Sequence, residues 1–156
     1  MNRKVVSLKE ALQKTASWCA YQERSQYEVR KKLQETYVLE GEEIEWIIAE
    51  LITQGYINEE RFAKTFAGGK FRIKKWGKRK IRQALQMHRI TEYCIKEALK
   101  EIPDEDYEAT LRELLTKKNK QISEKNLLKR RYKLAQYAMG KGYESDIVWD
   151  ILNEMV

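Results

Sequence analysis

The fold is decided by a stretch that occurs twice, as residues 76–102, WGKRKIRQALQMHRITEYCIKEALKEI, and as residues 129–155, KRRYKLAQYAMGKGYESDIVWDILNEM. The two stretches align without a gap at an offset of 53 residues, so that Ile81 matches Leu134. In each, apolar side chains recur at intervals of three and four residues, which is the spacing of one face of an α-helix. Each stretch therefore predicts two amphipathic helices, and the recurrence predicts a repeated structural unit.

A third amphipathic helix is expected ahead of each pair, and a related pair lies earlier in the sequence at an offset of 52 residues. The sequence thus predicts an all-α protein, a tandem, elongated array of three degenerate three-helix repeats. We place the repeats at 1–57, 58–103 and 104–156. The nine predicted helices lie near 8–21, 25–36, 42–54, 58–74, 77–88, 91–101, 104–119, 123–140 and 144–155.

The predicted helix boundaries carry capping residues. The segments 7–10 and 25–28 have the spacing of a capping box, in which a serine oxygen and a glutamate carboxylate each accept from a free backbone N–H. Gly55 and Gly142 stand where a helix ends in a left-handed residue, a conformation that glycine adopts without strain. Further N-caps are predicted at Asn58, Thr91, Asp104 and Ser123.

Composition narrows the class of protein. Hydrophobic residues make up 42% of the 156 positions, which is too many for a disordered chain. Seven glycines and one proline are too few for a turn-dense β-sandwich. No apolar run reaches the roughly 20 residues that span a bilayer, and no apolar signal core follows the first residues. We therefore expect a cytoplasmic monomer without a membrane partner.

The inventory of reactive side chains argues against an enzyme. Cys19 and Cys94 have neither metal-site nor disulfide spacing. His88 is the only histidine, so neither a two-histidine metal site nor a histidine-based triad can form within the chain. The glycines form no phosphate-binding loop. We predict no catalytic residue, no metal and no cofactor.

Charge is distributed along the chain in blocks. There are 31 Lys and Arg against 24 Asp and Glu, a net charge of +7, and basic and acidic segments alternate three times. Residues 61–91 hold 11 basic side chains and no acidic one. Because such a run repels itself, it favours an anionic partner such as a phosphate backbone. Pairing with the acidic segments of the same or the next repeat is the alternative, and both can hold together.

Two aromatic residues lie within this basic run. Phe71 and Trp76 could stack on unpaired bases, or they could pack against neighbouring helices, which is the interpretation we favour. No constellation of Asn, Gln and Arg marks a base-reading helix, so any nucleic-acid contact is expected to be independent of sequence.

Three stretches resemble the RecX family of recombinase regulators. Residues 24–33, RSQYEVRKKL, resemble the first motif of that family, and residues 55–66, GYINEERFAKTF, resemble the second. Residues 76–85, WGKRKIRQAL, fit the pattern of glycine, basic residues, isoleucine and leucine that follows. Lys78 departs from the pattern, because many members carry proline there. The resemblance weakens in the third repeat, where helical periodicity alone supports it.

The resemblance implies binding along the groove of the RecA–DNA filament and inhibition of RecA's ATPase and strand-exchange activities in recombination, DNA repair and the SOS response. The implied partners are RecA and single- or double-stranded DNA. We expect the basic second helices to face DNA or acidic RecA surface. The alternative is a stand-alone, sequence-independent DNA-binding protein with modules like helix-turn-helix domains. The candidate filament- and nucleic-acid-binding residues are Arg24, Arg30, Lys70, Arg72, Lys74, Lys75, Lys78, Arg79, Arg82, Lys117, Lys118, Lys120, Lys129, Arg130 and Arg131.

Overall fold

The computed structural model describes residues 2–155, and over that range it consists of nine α-helices joined by short turns. This confirms the predicted all-α fold of three-helix repeats. We refer to α1–α3, α4–α6 and α7–α9 as the first, second and third units. The helices are α1 (Leu8–Tyr21), α2 (Gln26–Thr36), α3 (Gly41–Thr53), α4 (Glu59–Lys74), α5 (Lys78–Met87), α6 (Glu92–Lys100), α7 (Asp104–Gln121), α8 (Leu127–Gly140) and α9 (Ser145–Met155).

Most helices begin at the predicted capping residues. Ser25 and Glu28 form the reciprocal capping box at the start of α2. The side chains of Asn58 and Thr91 accept backbone N–H groups at the starts of α4 and α6. Ser7 caps α1 by accepting one N–H through its side chain. These starts were predictable because a cap is a contact between residues three positions apart.

Two predicted N-caps are wrong. Asp104 is the first residue of α7, and Pro103 occupies the N-cap position. Helix α8 begins after Asn126 rather than after Ser123. The reason is the carboxylate of Glu124, which accepts two successive backbone N–H groups at 3.1 and 3.2 Å and holds this segment in a turn.

The second and third units repeat at the level of single hydrogen bonds. Arg89 and Gly142, 53 residues apart, are both left-handed, with φ of 59° and 101°. The residues that follow, Ile90 and Tyr143, are buried and donate their N–H groups back into α5 and α8 at 3.1 and 3.2 Å. This is the geometry of a Schellman ending. Gly55 has the predicted left-handed conformation as well, with φ of 81°.

The apolar faces of the helices form two hydrophobic cores. The first unit closes around its own core, in which Leu33, Ile47 and Leu51 are fully buried. The second and third units share one continuous core, whose buried members run from Phe62 to Leu152. The chain is therefore packed as one separate unit and one fused pair, while the exact repeat boundaries stay a prediction.

The fused pair is joined at the N-terminus of α5, whose first backbone N–H groups have no acceptor within their own helix. Gly77 and Arg79 donate to the two carbonyls of the α8–α9 turn, at 2.7 and 2.9 Å. Between them, the N–H of Lys78 donates to the hydroxyl of Tyr107 at 2.8 Å. A proline at position 78 would have no N–H to donate. We call this contact the α5 joint.

The α5 joint requires glycine at two positions. Gly77 has φ of −78°, which any residue can adopt, yet a Cβ there would lie 2.3 Å from the carbonyl carbon of Gly142. A Cβ on Gly142 would lie 2.4 Å from the Cβ of Lys80, and its φ of +101° disfavours a side chain. The two backbones therefore approach each other too closely for any side chain between them.

Two buried tyrosines close the α5 joint. The Tyr107 hydroxyl donates to the carboxylate of Glu144, and the Tyr143 hydroxyl donates to the carbonyl of Lys75 at 2.9 Å. Their ring centres lie 5.0 Å apart, and the ring of Phe71 packs against Tyr107 at 5.9 Å. Burial raises the pKa of both phenols above the usual value, and the bond to Glu144 raises that of Tyr107 further.

The first and second units are joined at the equivalent positions by side chains. Ser25, the N-cap of α2, is 52 residues from Gly77, the N-cap of α5, and His88 is 53 residues from Lys141. Ser25 Oγ and His88 Nδ1 share a hydrogen bond of 2.9 Å. The ring of His88 packs on that of Phe62 at 5.1 Å. The repeat therefore uses the same two positions for each joint, with a polar side-chain contact here and a backbone contact at the α5 joint.

The accessible surface reflects the arrangement of the units in a row. The surface area is 9886 Å². A compact monomer of 18.7 kDa is expected to expose about 8,300 Å². The excess agrees with the predicted elongated array, in which each unit contacts its neighbours.

A pair of glycine variants tests the close approach in the α5 joint. We expect Gly77→Ala to destabilise the protein by about 3 kcal/mol, because the new methyl group meets backbone that cannot move aside. A methyl group added at Gly69, inside α4, would meet only open space, so Gly69→Ala should stabilise the protein by roughly 0.5–1 kcal/mol. Urea unfolding measures both, and equal stabilities of the two variants would contradict the steric account.

The two tyrosines predict a loss of stability at alkaline pH. Their pKa values are raised in the folded state, so the unfolded chain releases phenolic protons first, at its ordinary pKa of about 10. Stability should therefore be fully present below about pH 10 and decrease as the pH rises further. Tyr107→Phe should cost about 1–3 kcal/mol at neutral pH, since it leaves the Lys78 N–H without an acceptor.

The same variant should lose less stability than the unsubstituted protein between about pH 10 and pH 11, because one of the two linked groups is gone. Urea unfolding over this pH range is the measurement. Parallel pH profiles for the two proteins would show that Tyr107 does not carry the effect.

Candidate nucleic-acid interface

The densest open basic surface lies at the turn between α4 and α5. Helix α4 ends at Lys74, and Lys75 follows in a left-handed conformation with φ of 60°. The carbonyls of both residues are bound by the third unit: that of Lys74 accepts from Lys141 Nζ at 3.2 Å, and that of Lys75 accepts from the Tyr143 hydroxyl. The third unit thus fixes the turn through its backbone and leaves its side chains available.

Four cations around this turn have no ion-pair or hydrogen-bond partner for their side chains among residues 2–155. They are Arg72, Lys74, Lys75 and Arg79, and we call them the turn cluster. Arg72, Lys74 and Arg79 are exposed, and Lys75 is half-buried. Because nothing inside the protein neutralises them, they create a region of positive potential that an anionic partner can enter.

Trp76 lies at the same turn between two lysines. The Nζ atoms of Lys70 and Lys80 lie 4.9 and 4.7 Å from the centre of its ring, within the range of a cation–π contact. The indole is half-buried against the shared core. Phe71 is only 7% exposed and packs on Tyr107, so it is part of the core and not available to stack on a base.

Several predicted site residues are engaged within the protein. Arg30 of α2 donates two hydrogen bonds of 2.8 Å to Glu45 of α3, and these bonds lower the pKa of that carboxyl below its usual value. Arg82 of α5 binds both carboxylate oxygens of Glu92 on α6. The guanidinium of Arg24 stacks on a tryptophan ring of α1, 3.9 Å from its centre. For Arg30 and Arg82, the alternative of pairing with the acidic third helix of the unit is therefore correct.

Lys78 is also held internally. Its Nζ lies 4.8 Å from the centre of the Tyr107 ring and 3.9 Å from the carboxylate of Asp104. Since its backbone N–H binds the same tyrosine, both ends of this residue support the α5 joint. Its charge adds to the local potential, but its position is set by the third unit.

The third unit contributes a second group of cations. Lys118 Nζ lies 4.9 Å from the ring centre of Tyr137. Arg130 donates to the carbonyl of Ile122 at 2.9 Å and so binds the end of α7. Arg131 is half-buried. The exposed lysines of the predicted set that have no side-chain partner within the described part of the chain are Lys117, Lys120 and Lys129.

Sequence reasoning missed two lysines of this surface. Lys141 reaches the α4–α5 turn from the third unit, and Lys80 covers Trp76. The repeat offset carried a signal for the first, because it aligns Lys141 with His88, which binds the neighbouring unit in the same way. No signal in the sequence identified Lys80 beyond its place in the basic run.

No other chemistry competes for this surface in the described part of the chain. Within residues 2–155, no group of three or more His, Cys, Asp or Glu side chains is placed to hold a metal ion. In the same range, no helix combines the length and apolar character needed to cross a membrane. Cys19 is buried, which raises its pKa to about 11, and a thiol in that state is a poor nucleophile. That the protein is not an enzyme stays a prediction.

Comparison with known proteins gives consistent family matches. The model described as "RecX, second three-helix domain" matches residues 58–99, and that described as "RecX, third three-helix domain" matches residues 104–152. The regulatory protein RecX of Oceanobacillus iheyensis is 28% identical over 149 residues, which are 96% of this chain and 54% of that protein. The regulatory protein RecX of Clostridium acetobutylicum is 32% identical over 136 residues, 85% of this chain and 62% of that protein. The chain thus spans about half the length of several curated relatives that it matches.

Solved structures share the fold. A crystal structure of a regulatory protein RecX superposes with a TM-score of 0.83 over 94% of this chain and 71% of that chain, at 24% identity. The crystal structure of RecX from Lactobacillus salivarius gives a TM-score of 0.84 over 94% of this chain and 95% of that chain, at 22% identity. With both domain matches falling in order on the second and third units, the chain belongs to the RecX family.

Proposed function

We propose that this chain binds along the groove of the RecA–DNA filament and inhibits the recombinase and ATPase activities of RecA, as a cytoplasmic regulator without catalytic activity of its own. Membership in a family of regulatory proteins supports the proposal. The observation that carries it is the turn cluster, four cations without internal partners at a joint made of backbone hydrogen bonds.

The turn cluster suits the phosphate backbone of DNA. Lysine and arginine displace the counterions condensed on DNA, and the affinity gained in this way falls with salt and does not depend on base sequence. Arg79 also lies in the first turn of α5, where the helix dipole adds to the positive potential. We therefore expect contacts to DNA within the filament that hold for any sequence.

The row of units suits a partner that is itself a repeating polymer. The exposed lysines of the third unit provide a second point of attachment beside the turn cluster, and the acidic third helices can meet basic RecA loops. Weak contacts made together by one rigid body strengthen each other through effective concentration. A body attached at several points along the groove would oppose the rearrangements of RecA that accompany strand exchange.

The second candidate is a stand-alone DNA-binding protein, which the openness of the turn cluster also favours. A titration separates the two. Tight, salt-sensitive binding to DNA in the absence of RecA supports the stand-alone protein, whereas weak binding to DNA and firm attachment to RecA–DNA filaments supports the regulator.

Charge reversal in the turn cluster tests the proposed function. Arg72→Glu combined with Arg79→Glu should abolish inhibition of RecA's DNA-dependent ATPase, because both side chains are exposed and neither has an internal partner. The salt dependence of filament binding should weaken by about two phosphate contacts, roughly one for each cation removed. Arg82 is left unchanged, since its reversal would also break the ion pair with Glu92.

The control is Lys9→Glu combined with Lys96→Glu, which makes the same change of charge at two exposed lysines of α1 and α6. The control should inhibit like the unsubstituted protein, and both variants should keep their helical circular dichroism. Full inhibition by the variant of the turn cluster, or equal loss in the control, would overturn the assignment of these residues.

A further inference from the structure

A groove of about 400 Å³ lies between the first and second units, on the side of α4 that faces away from α6 and beside the contact of Ser25 with His88. Its floor is aromatic and consists of Phe62, Phe66 and the ring of His88, which pack edge to face or tilted at 5.1–5.6 Å between ring centres. The sequence analysis assigned no role to this place.

The rim of the groove carries an apolar side chain that nothing in residues 2–155 covers. Ile73, in the last turn of α4, is 77% exposed although it borders the aromatic floor. Gly69, one turn earlier on the same side, leaves the groove open because it has no side chain. An exposed isoleucine beside an open aromatic surface is a place where a partner gains free energy by burying apolar area.

The charges on the two rims differ in how far they are neutralised. On the side of the first unit, Glu23 binds Arg61, and Glu28 is held in the capping box of α2. On the side of α4, the ammonium group of Lys74 has no partner, and that of Lys70 contacts only aromatic rings. The unmet charge around the groove is therefore positive, which calls for a carboxylate next to the apolar group of an occupant.

The groove is specific to this joint. At the α5 joint, the rings of Tyr107, Tyr143 and Phe71 fill the space between the units. At the first joint, contact is made by Ser25 and His88, and the space beside them stays open. The same pair of repeat positions thus produces a packed contact in one case and a groove in the other.

We propose that this groove docks a segment of a partner protein that carries an apolar side chain next to a carboxylate. The apolar side chain would lie on Phe66 and against Ile73, and the carboxylate would pair with Lys70 or Lys74. This inference rests on the proposed function, in which that segment belongs to the protein component of the filament while the turn cluster faces its DNA. The groove would then give the chain its preference for the filament over bare DNA.

A nucleic acid fits the groove less well than a protein segment. The floor could accept a base, but a strand that follows the groove would place its phosphates beside the carboxylates of Glu23 and Glu28. Those carboxylates cannot move away, because each is held by hydrogen bonds or an ion pair. A single carboxylate on an apolar segment avoids this repulsion by binding only the lysine rim.

Two substitutions test the groove without changing charge. Gly69→Leu fills it from α4, and it should also raise helix stability, because leucine is a better helix former than glycine. Ile73→Gln removes the apolar rim. Each should weaken co-sedimentation with RecA filaments on single-stranded DNA by about tenfold, the loss that follows from one apolar side chain left unburied. Direct binding of the protein to the same DNA without RecA, followed by fluorescence anisotropy, should stay within about twofold.

Matched controls exist on other helices. Gly140→Leu places the same side chain at a helical glycine with open space around it, at the end of α8. Ile52→Gln replaces an exposed isoleucine that, like Ile73, is the penultimate residue of its helix. Both controls should bind the filament like the unsubstituted protein, and thermal melts of all four variants check that they are folded.

The outcomes separate this inference from the proposed function. Failure of the unsubstituted protein to bind RecA filaments would overturn the proposed function, and the docking of a filament segment with it. Normal filament binding that Gly69→Leu and Ile73→Gln leave unchanged would overturn the groove alone. Equal losses of filament binding and of direct DNA binding would show that the groove holds nucleic acid, which also overturns the proposal.

Discussion

The close approach of Gly77 and Gly142 is the contact on which the rest of this structure depends. A helix N-terminus needs acceptors for its free N–H groups, and α5 has no side-chain cap of its own. The α8–α9 turn supplies two carbonyls and Tyr107 supplies a hydroxyl. Because these bonds require the two backbones to touch, they fix the distance and orientation of the second and third units, and the two units share one core.

The position of the basic surface follows from this joint. Residues 74–79 would repel each other in a free turn, yet their carbonyls and N–H groups are bound on both sides by the third unit. The backbone contacts hold four unneutralised cations in one place, while arginines elsewhere, such as Arg30 and Arg82, are bound by the acidic helix of their own unit. The alternating charge of the sequence therefore has two physical origins, internal pairing and an open surface.

The sequence was sufficient for the features that depend on neighbouring residues. Apolar periodicity and caps such as Ser25 and Asn58 act over three or four positions, so the nine helices and their repeat were predictable. The role of Gly77 was not, because it depends on a residue 65 positions later that the fold brings into contact. In the same way, Arg79 and Arg82 lie three residues apart in one basic run, and only the packing of α6 against α5 decides that Arg82 has a carboxylate partner.

Native-state hydrogen exchange at increasing urea concentration tests the α5 joint most directly. If the joint unites the second and third units, the amide hydrogens of residues 77–79 exchange at the free energy that opens α5 and α8 together, while α2 and α3 open separately at a lower free energy. Exchange of these three amides at a lower free energy than the buried amides of α8, with both units still folded, would contradict the account.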